Sequence, residues 1–227
     1  LMLDHYSWGE VNRISPEAPI PVMQVLHEDQ RLGGAGNVVV NLSALGAEVL
    51  VCGVTGKDET GDRIRKLLVE NEVDPSGVIV SENYKSCLKH RMIAGQTHLL
   101  RIDIDPDPDI LAPQKQLVNF LEQRIPSCDA VVVSDYGKGG LSNVPQIIRL
   151  AQQHKISVVV DPKGADFSDY REATIVTPNT SEFVQSVGDC PTTEEFNKKA
   201  YSLIETLSLQ GLLVTRGPEG MTLFSED

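Results

Sequence analysis

The chain has 227 residues, 41% of them hydrophobic and 23% charged, and a formal net charge of −12, which is ordinary for a globular protein and, with no basic run, argues against a nucleic-acid partner. No apolar stretch approaches the roughly 20 residues of a membrane span. Cys52, Cys87, Cys128 and Cys190 form no C-x-x-C pair, so they suggest neither a zinc site nor a redox motif and fit a reducing, cytoplasmic setting.

In chain order, Leu1-Met2-Leu3-Asp4 reads as the tail of a strand already in progress. Pro19 to Leu26 alternates polar and apolar residues at period two, the pattern of a strand with one solvated face. Leu32-Gly33-Gly34-Ala35-Gly36-Asn37 then runs directly into the helix-like stretch Val38 to Leu45. Its glycines permit positive φ and leave no side chain between backbone and ligand, and the helix start offers unpaired amides. Asn37 and Asn41, one helical turn apart, add polar groups to one face. The same residues also read as a tight turn ahead of a buried helix.

Val49 to Val54 predicts a buried strand, and Glu59 to Asn71 an amphipathic helix with Ile64, Leu67 and Leu68 inward. Lys85 to Ile104 alternates again and folds back at Ala94-Gly95-Gln96-Thr97, so it belongs with Pro19 to Leu26 in a small antiparallel sheet. Asp103 to Asp109 reads as a solvated connector. Pro113 to Ile125 predicts a helix, Asp129 to Ser134 a strand, and Ser142 the cap of a helix reaching His154. Ile156 to Val160, Thr174 to Val176 and Leu212 to Val214 are further strands, with a helix from a Thr192-Thr193-Glu194-Glu195 capping box to Leu207 between the last two. Strands alternating with helices predict an α/β fold, a mostly parallel sheet flanked by helices. Met221 onward reads as a hairpin cut short, so the chain is expected to be part of a longer domain.

In a parallel sheet, ligands bind beyond the carboxyl ends of the strands. Four strands here end in Ser134-Asp135-Tyr136-Gly137-Lys138-Gly139, Asp161-Pro162-Lys163-Gly164, Thr177-Pro178-Asn179-Thr180-Ser181-Glu182 and Thr215-Arg216-Gly217. Each loop alone is ordinary turn chemistry. Together they deliver lysines and glycines suited to phosphate oxygens and carboxylates suited to Mg²⁺, with no Ser/His nucleophile pair. Gly56-Lys57 is followed by Asp58, so there is no P-loop, and G-x-G-x-x-G is absent too.

These motifs resemble the ribokinase-type (PfkB) carbohydrate kinases over essentially the whole chain: the glycine run with Asn37, Asn179-x-x-Glu182 and Thr215-Arg216-Gly217. A narrower resemblance covers Arg13-Ile14-Ser15-Pro16-Glu17-Ala18-Pro19-Ile20-Pro21-Val22, Ser134-Asp135-Tyr136-x-Lys138-Gly139, Asp161-Pro162-Lys163-Gly164 and Thr177-Pro178-Asn179-x-Ser181-Glu182. These segments are similar to the D-glycero-β-D-manno-heptose-7-phosphate kinases of Gram-negative lipopolysaccharide core synthesis. The resemblance implies a ribokinase-like fold with a small antiparallel β lid, formed from about 12–26 and 85–104, that commonly pairs two subunits. It implies phosphoryl transfer from ATP, with Mg²⁺, to the anomeric hydroxyl of heptose 7-phosphate. Asp4, Gly34 and Asn37 would hold sugar hydroxyls. Asn179 and Glu182 would organise Mg²⁺ and the nucleotide phosphates through water, with Asp135, Lys138, Lys163, Thr180 and Ser181 beside them. Thr215 and Gly217 would line the nucleotide cleft. Lys89, Arg91 and Arg101 on the lid strands could read the substrate phosphate, or could be charges that protect a sheet edge.

Members of this family carry a Gly-Ala-Gly-Asp loop, with the general base, beyond the point that corresponds to Asp227. Residues 1–227 contain no such loop, so the stretch by itself is expected to be inactive. Another PfkB-type sugar or nucleoside kinase is an alternative. A non-catalytic ligand-binding or dimerisation module is another, if the chain naturally ends at Asp227.

Overall fold

The computed structural model describes residues 1–107, 110, 113–137, 140–141 and 143–225. Lys138 and Ser142, both singled out above, lie outside them. The chain divides into two compact units, Leu1–Pro113 and Gln114–Asp227.

The first unit contains β1 (Met2–Ile14), β2 (Pro21–Gly33), α1 (Ala35–Ala44), β3 (Gly53–Gly56), α2 (Glu59–Glu70), β4 (Val78–Ser81), β5 (Cys87–Ala94) and β6 (Thr97–Ile104). A four-stranded sheet runs in the order β2-β1-β5-β6, and β3 pairs with β4 separately. The alternating segments do share one sheet, but that sheet differs from the expected small antiparallel lid in two ways. The first hairpin is longer, pairing Met2 with Gly33 at one end and Ile14 with Pro21 at the other. The sheet is also mixed, because β1 runs parallel to β5 from Met2↔Cys87 to Gly9↔Ala94. Asp4 therefore sits on the same sheet as Lys89, Arg91 and Arg101.

One end of this sheet is anchored by a core of Leu3, Leu32, Val39, Val51, Ile64, Leu67, Leu68, Val73 and Val78. The inward residues of α2 are those its 3.6-residue period predicts. Asp58 caps that helix, its Oδ1 accepting from the Gly61 amide at 2.7 Å. Val49 to Val54 is strand only from Gly53 onward; Val51 is buried without entering the ladder. An apolar run reports burial rather than pairing, and here the two part company.

The second unit contains α3 (Gln114–Arg124), β7 (Ala130–Ser134), α4 (Val144–Gln153), β8 (Ser157–Asp161), β9 (Ile175–Val176), α5 (Thr180–Val187), α6 (Thr193–Leu207), β10 (Gly211–Thr215) and β11 (Met221–Ser225). Its sheet runs β11-β10-β9-β8-β7, parallel throughout except for the antiparallel β10–β11 pair. This is the predicted α/β arrangement. Val158, Val160, Val176, Leu212 and Val214 from the strands pack with Ile148 of α4, Phe183 of α5 and Ile204 of α6. Each such side chain contributes about 1.5–3 kcal/mol by leaving water. Parallel pairing puts the carboxyl ends of β7, β8, β9 and β10 along one edge.

Candidate active site

In the first unit, strand register decides which polar side chains meet. Asp4 lies opposite Arg31 on β2 and Lys89 on β5, and Tyr6 opposite Asp29 and Arg91. Arg91 in turn faces Arg101 on β6, and Lys89 faces Asp103. Directly opposed residues share a sheet face, so these groups form one polar surface. Arg91 pairs with Asp4 across the ladder, with both side chains about one-fifth exposed. The Arg91 and Arg31 guanidinium carbons lie 5.1 and 5.6 Å from the Tyr6 ring centroid.

Lys89 Nζ is 3.0 Å from Asp103 Oδ2, and Arg101 reaches both Asp103 oxygens at 2.9 and 3.0 Å. Arg101 first and Lys89 second hold the Asp103 carboxyl below its ordinary value. Edge protection can explain Arg101, since β6 ends the sheet. It cannot explain Lys89 or Arg91, because β5 is an interior strand.

At the end of β2 the chain must turn into α1 against Asp4. A Cβ on Gly33 would stand 2.3 Å from Asp4 Oδ2. Gly34 is the N-cap of α1 at φ 55, ψ −130, a conformation L-residues rarely adopt. No side chain caps this helix. Asn37 lies in its first turn, exposed, and Asn41 follows on the next turn, also exposed. The sequence left a bland turn and a ligand-holding loop both open. Gly34 holds a conformation that glycine adopts freely and side-chain-bearing residues do not, and the helix start without a side-chain cap leaves amides open to a ligand.

In the second unit, the carboxyl edge gathers the remaining candidates. The Asp135 amide donates to Asp161 O at 3.0 Å, joining the ends of β7 and β8. Asp135 Oδ1 accepts from the Gly137 amide at 2.8 Å and Oδ2 from Tyr170 Oη at 2.9 Å. Asn179 and Glu182 form a reciprocal capping box at the start of α5. Lys163 Nζ lies 3.3 Å from Glu182 Oε1. Thr180 Oγ1 donates to the Thr215 carbonyl at 3.1 Å, which ties α5 to the end of β10. A cleft of about 490 Å³ is lined by Asn179, Thr180, Ser181, Thr215, Arg216, Gly217 and Glu219. Five of the residues expected around a nucleotide thus border one cavity.

Asp161 is held above its ordinary value, by burial first and then by repulsion from Glu182, with Asp135 adding to it and Lys163 opposing. Carboxylates that disfavour one another's charge suit a cation. Both Glu182 oxygens and Asn179 Oδ1 already accept hydrogen bonds from protein groups. Each has a lone pair to spare for metal-bound water, so the set fits Mg²⁺ held through water.

Tyr170, whose hydroxyl links Asp135 to the Lys163 amide, carried no signal in the sequence. Tyr6 and Arg31 were missed as well. Pairing of β1 with both β2 and β5 brings them to the Asp4 face, and periodicity within one strand cannot reveal partners on another.

The profile described as "pfkB family carbohydrate kinase" matches residues 4–227. The "D-beta-D-heptose 7-phosphate kinase" of Bordetella bronchiseptica is 43% identical over 226 residues, covering 100% of this chain and 72% of that protein. The "Bifunctional protein HldE" of Haemophilus influenzae (strain PittEE) is 43% identical over 223 residues, covering 98% of this chain and 46% of the relative. The chain thus spans about half the length of the bifunctional relatives it matches. Phosphofructokinase-2 from Escherichia coli, in complex with substrates and products, shares the fold with a TM-score of 0.77 at 19% identity, over 100% of this chain and 73% of that one. Ribokinase from Arabidopsis thaliana complexed with ribose and ATP gives a TM-score of 0.72 at 18% identity, over 99% and 72%.

Proposed function

Because the chain belongs to the pfkB family of carbohydrate kinases, we propose that the protein phosphorylates D-glycero-β-D-manno-heptose 7-phosphate at its anomeric hydroxyl, using ATP and Mg²⁺. The observation that supports this reading most is the 43% identity, across the whole chain, to a protein named for that substrate. The residues of this chain are assigned to binding and positioning. Asp4 and Asn37 hold sugar hydroxyls at the Gly34 turn. Lys89, Arg91 and Arg101 read the phosphate the sugar already carries, where charge-assisted and bidentate hydrogen bonds discriminate well.

Asn179, Thr180, Ser181, Thr215 and Gly217 border the nucleotide, and Asp135, Lys138 and Lys163 serve its phosphates. Asn179 and Glu182 orient waters of Mg²⁺, which neutralises charge on the transferring phosphoryl group when bound. The exposed apolar residues Val25 and Leu26 on β2 and Leu100 on β6 suit pairing of the lid sheet with a second copy. Among the described residues no helix is long and apolar enough to cross a membrane.

A coupled assay of the enzyme across sugar 7-phosphates, sugar 6-phosphates and free sugars tests the substrate. Preference for the heptose 7-phosphate is expected; preference for a free sugar overturns the assignment. That second reading, a kinase for an unphosphorylated sugar, is favoured by one observation: Lys89 and Arg101 already share the counter-ion Asp103.

A further inference from the structure

The reverse face of the first unit's sheet carries a second constellation that the sugar-kinase reading does not use. His5 lies opposite His90 on β5, and Ser7 opposite Glu28 on β2. Both pairs point away from Asp4 and Arg91, since residues at odd and even positions of β1 project to opposite faces. The His5 and His90 rings stack with centroids 4.1 Å apart and 6° between their planes. Ser7 is buried, donates from Oγ to Glu28 Oε1 at 2.8 Å, and has His90 Nε2 at 2.7 Å. A hydroxyl has one proton to give, so here it accepts from His90. His5 Nε2 is buried and has no hydrogen-bond partner, although Glu28 Oε1 lies 3.2 Å away.

We propose that His5, Glu28 and His90 bind a divalent transition-metal ion of the zinc class, joining β1, β2 and β5 behind the sugar-facing surface. One ligand atom from each residue lies within 4.8 Å of the other two. Because the rings stack in nearly parallel planes, one imidazole must turn out of the stack before both nitrogens can aim at one ion and close to the roughly 3.3 Å that tetrahedral bonds of about 2.0–2.1 Å require. Two imidazoles and a carboxylate suit Zn²⁺ and Co²⁺ and discriminate against Mg²⁺. Metal binding satisfies the orphaned His5 nitrogen. It moves the His90 proton from Nε2 to Nδ1, a tautomer change that releases no net proton. Ser7 keeps its hydrogen bond to Glu28 and orients that carboxylate, as partners of metal ligands commonly do. Glu28 is 55% exposed, so the fourth position opens to solvent and takes water.

The inference is independent of which sugar is phosphorylated. Its test is titration of the chelator-stripped chain with Zn²⁺ by calorimetry and with Co²⁺ by visible absorption, alongside thermal melts. One Zn²⁺ should bind per chain and raise Tm. The Co²⁺ complex should show d–d bands without a thiolate charge-transfer band, which excludes capture by cysteines. His90→Gln, chosen to keep volume, and His5→Ala should each weaken binding by about tenfold or more, and Ser7→Ala by less. Whatever their Tm without metal, the two histidine variants should gain less Tm from a given Zn²⁺ concentration than the unsubstituted chain. Binding unchanged in the His5→Ala/His90→Gln double variant, a thiolate-dominated Co²⁺ spectrum, or no Zn²⁺ binding by the parent chain would each overturn the proposal.

Discussion

Asn179 and Glu182 each satisfy the other's backbone: Asn179 Oδ1 accepts from the Glu182 amide at 2.9 Å, and Glu182 Oε2 accepts from the Asn179 amide at 3.0 Å. The pair proposed to order Mg²⁺ waters is thus also the cap of α5. A single alanine substitution removes both roles, so the two must be separated chemically. Gln at this position of a capping box retains the acceptor. Glu182→Gln should leave Tm nearly unchanged while raising the Mg²⁺ concentration the parent enzyme needs. Glu182→Ala should lose about 0.5–1.5 kcal/mol of stability as well, the scale of one hydrogen bond. Melting curves beside Mg²⁺ titrations of turnover read the two effects apart. An unchanged Mg²⁺ requirement in Glu182→Gln would leave capping as the whole role.

Gly34 and Asn37 should also separate. At φ 55 and ψ −130 a side chain on Gly34 is strained, and Gly34→Ala should cost about 1–3 kcal/mol in addition to sugar binding. Asn37 is exposed, and such a site usually changes stability by no more than about 0.5 kcal/mol. Asn37→Ala should therefore melt like the parent, yet bind the sugar about 1–3 kcal/mol more weakly through a lost hydrogen bond. Calorimetric titration and differential scanning on one sample decide it. A destabilised Asn37→Ala with normal affinity would make the amide a brace of the loop.

On the first unit's sheet, the informative variant is the counter-ion. Asp103→Asn releases Lys89 and Arg101 together and should tighten binding of heptose 7-phosphate. Arg91→Ala should weaken it by about tenfold or more, on the order of 1.4 kcal/mol, with KM for ATP nearly unchanged. If these cations only guard the sheet, neither variant will alter affinity for the sugar phosphate.

Asp161 supplies a pH test. Its folded-state affinity for a proton is raised, by burial first and Glu182 second. Well below the ordinary carboxylate range the group is protonated folded or unfolded, and costs nothing. As pH rises from the ordinary value through the raised one, the unfolded state ionises first, and stability is lost. Asp161→Asn removes that loss. Its Tm advantage over the parent should be absent in strong acid, grow through the carboxylate range and level off above it. Adding Mg²⁺ should shrink the advantage near neutrality if the cation binds beside this carboxylate. A Tm difference that does not vary with pH would assign the effect to packing.

Much of this protein was legible in its residues. Apolar runs ending in Asp161, Asn179 and Thr215 announced parallel strands with polar carboxyl ends. The spacing of Ile64, Leu67 and Leu68 announced the buried side of α2. The glycine run and Asn179-x-x-Glu182 pointed to the family. These signals are local, because turn chemistry, capping and helix period act within a few residues of chain. What the tertiary structure decided was register. Asp4 meets Arg91 across 87 positions of sequence, and Ser7 meets His90 across 83. Between Trp8 and Gly9, and again between Val11 and Arg13, the β1–β2 pairing shifts. A one-residue slip moves every side chain to the other face of a sheet. Successive side chains of any strand point to opposite faces, so β1 has two. Only its pairing with β2 and β5 determines that one carries Asp4 with Arg91 and the other His5 with His90.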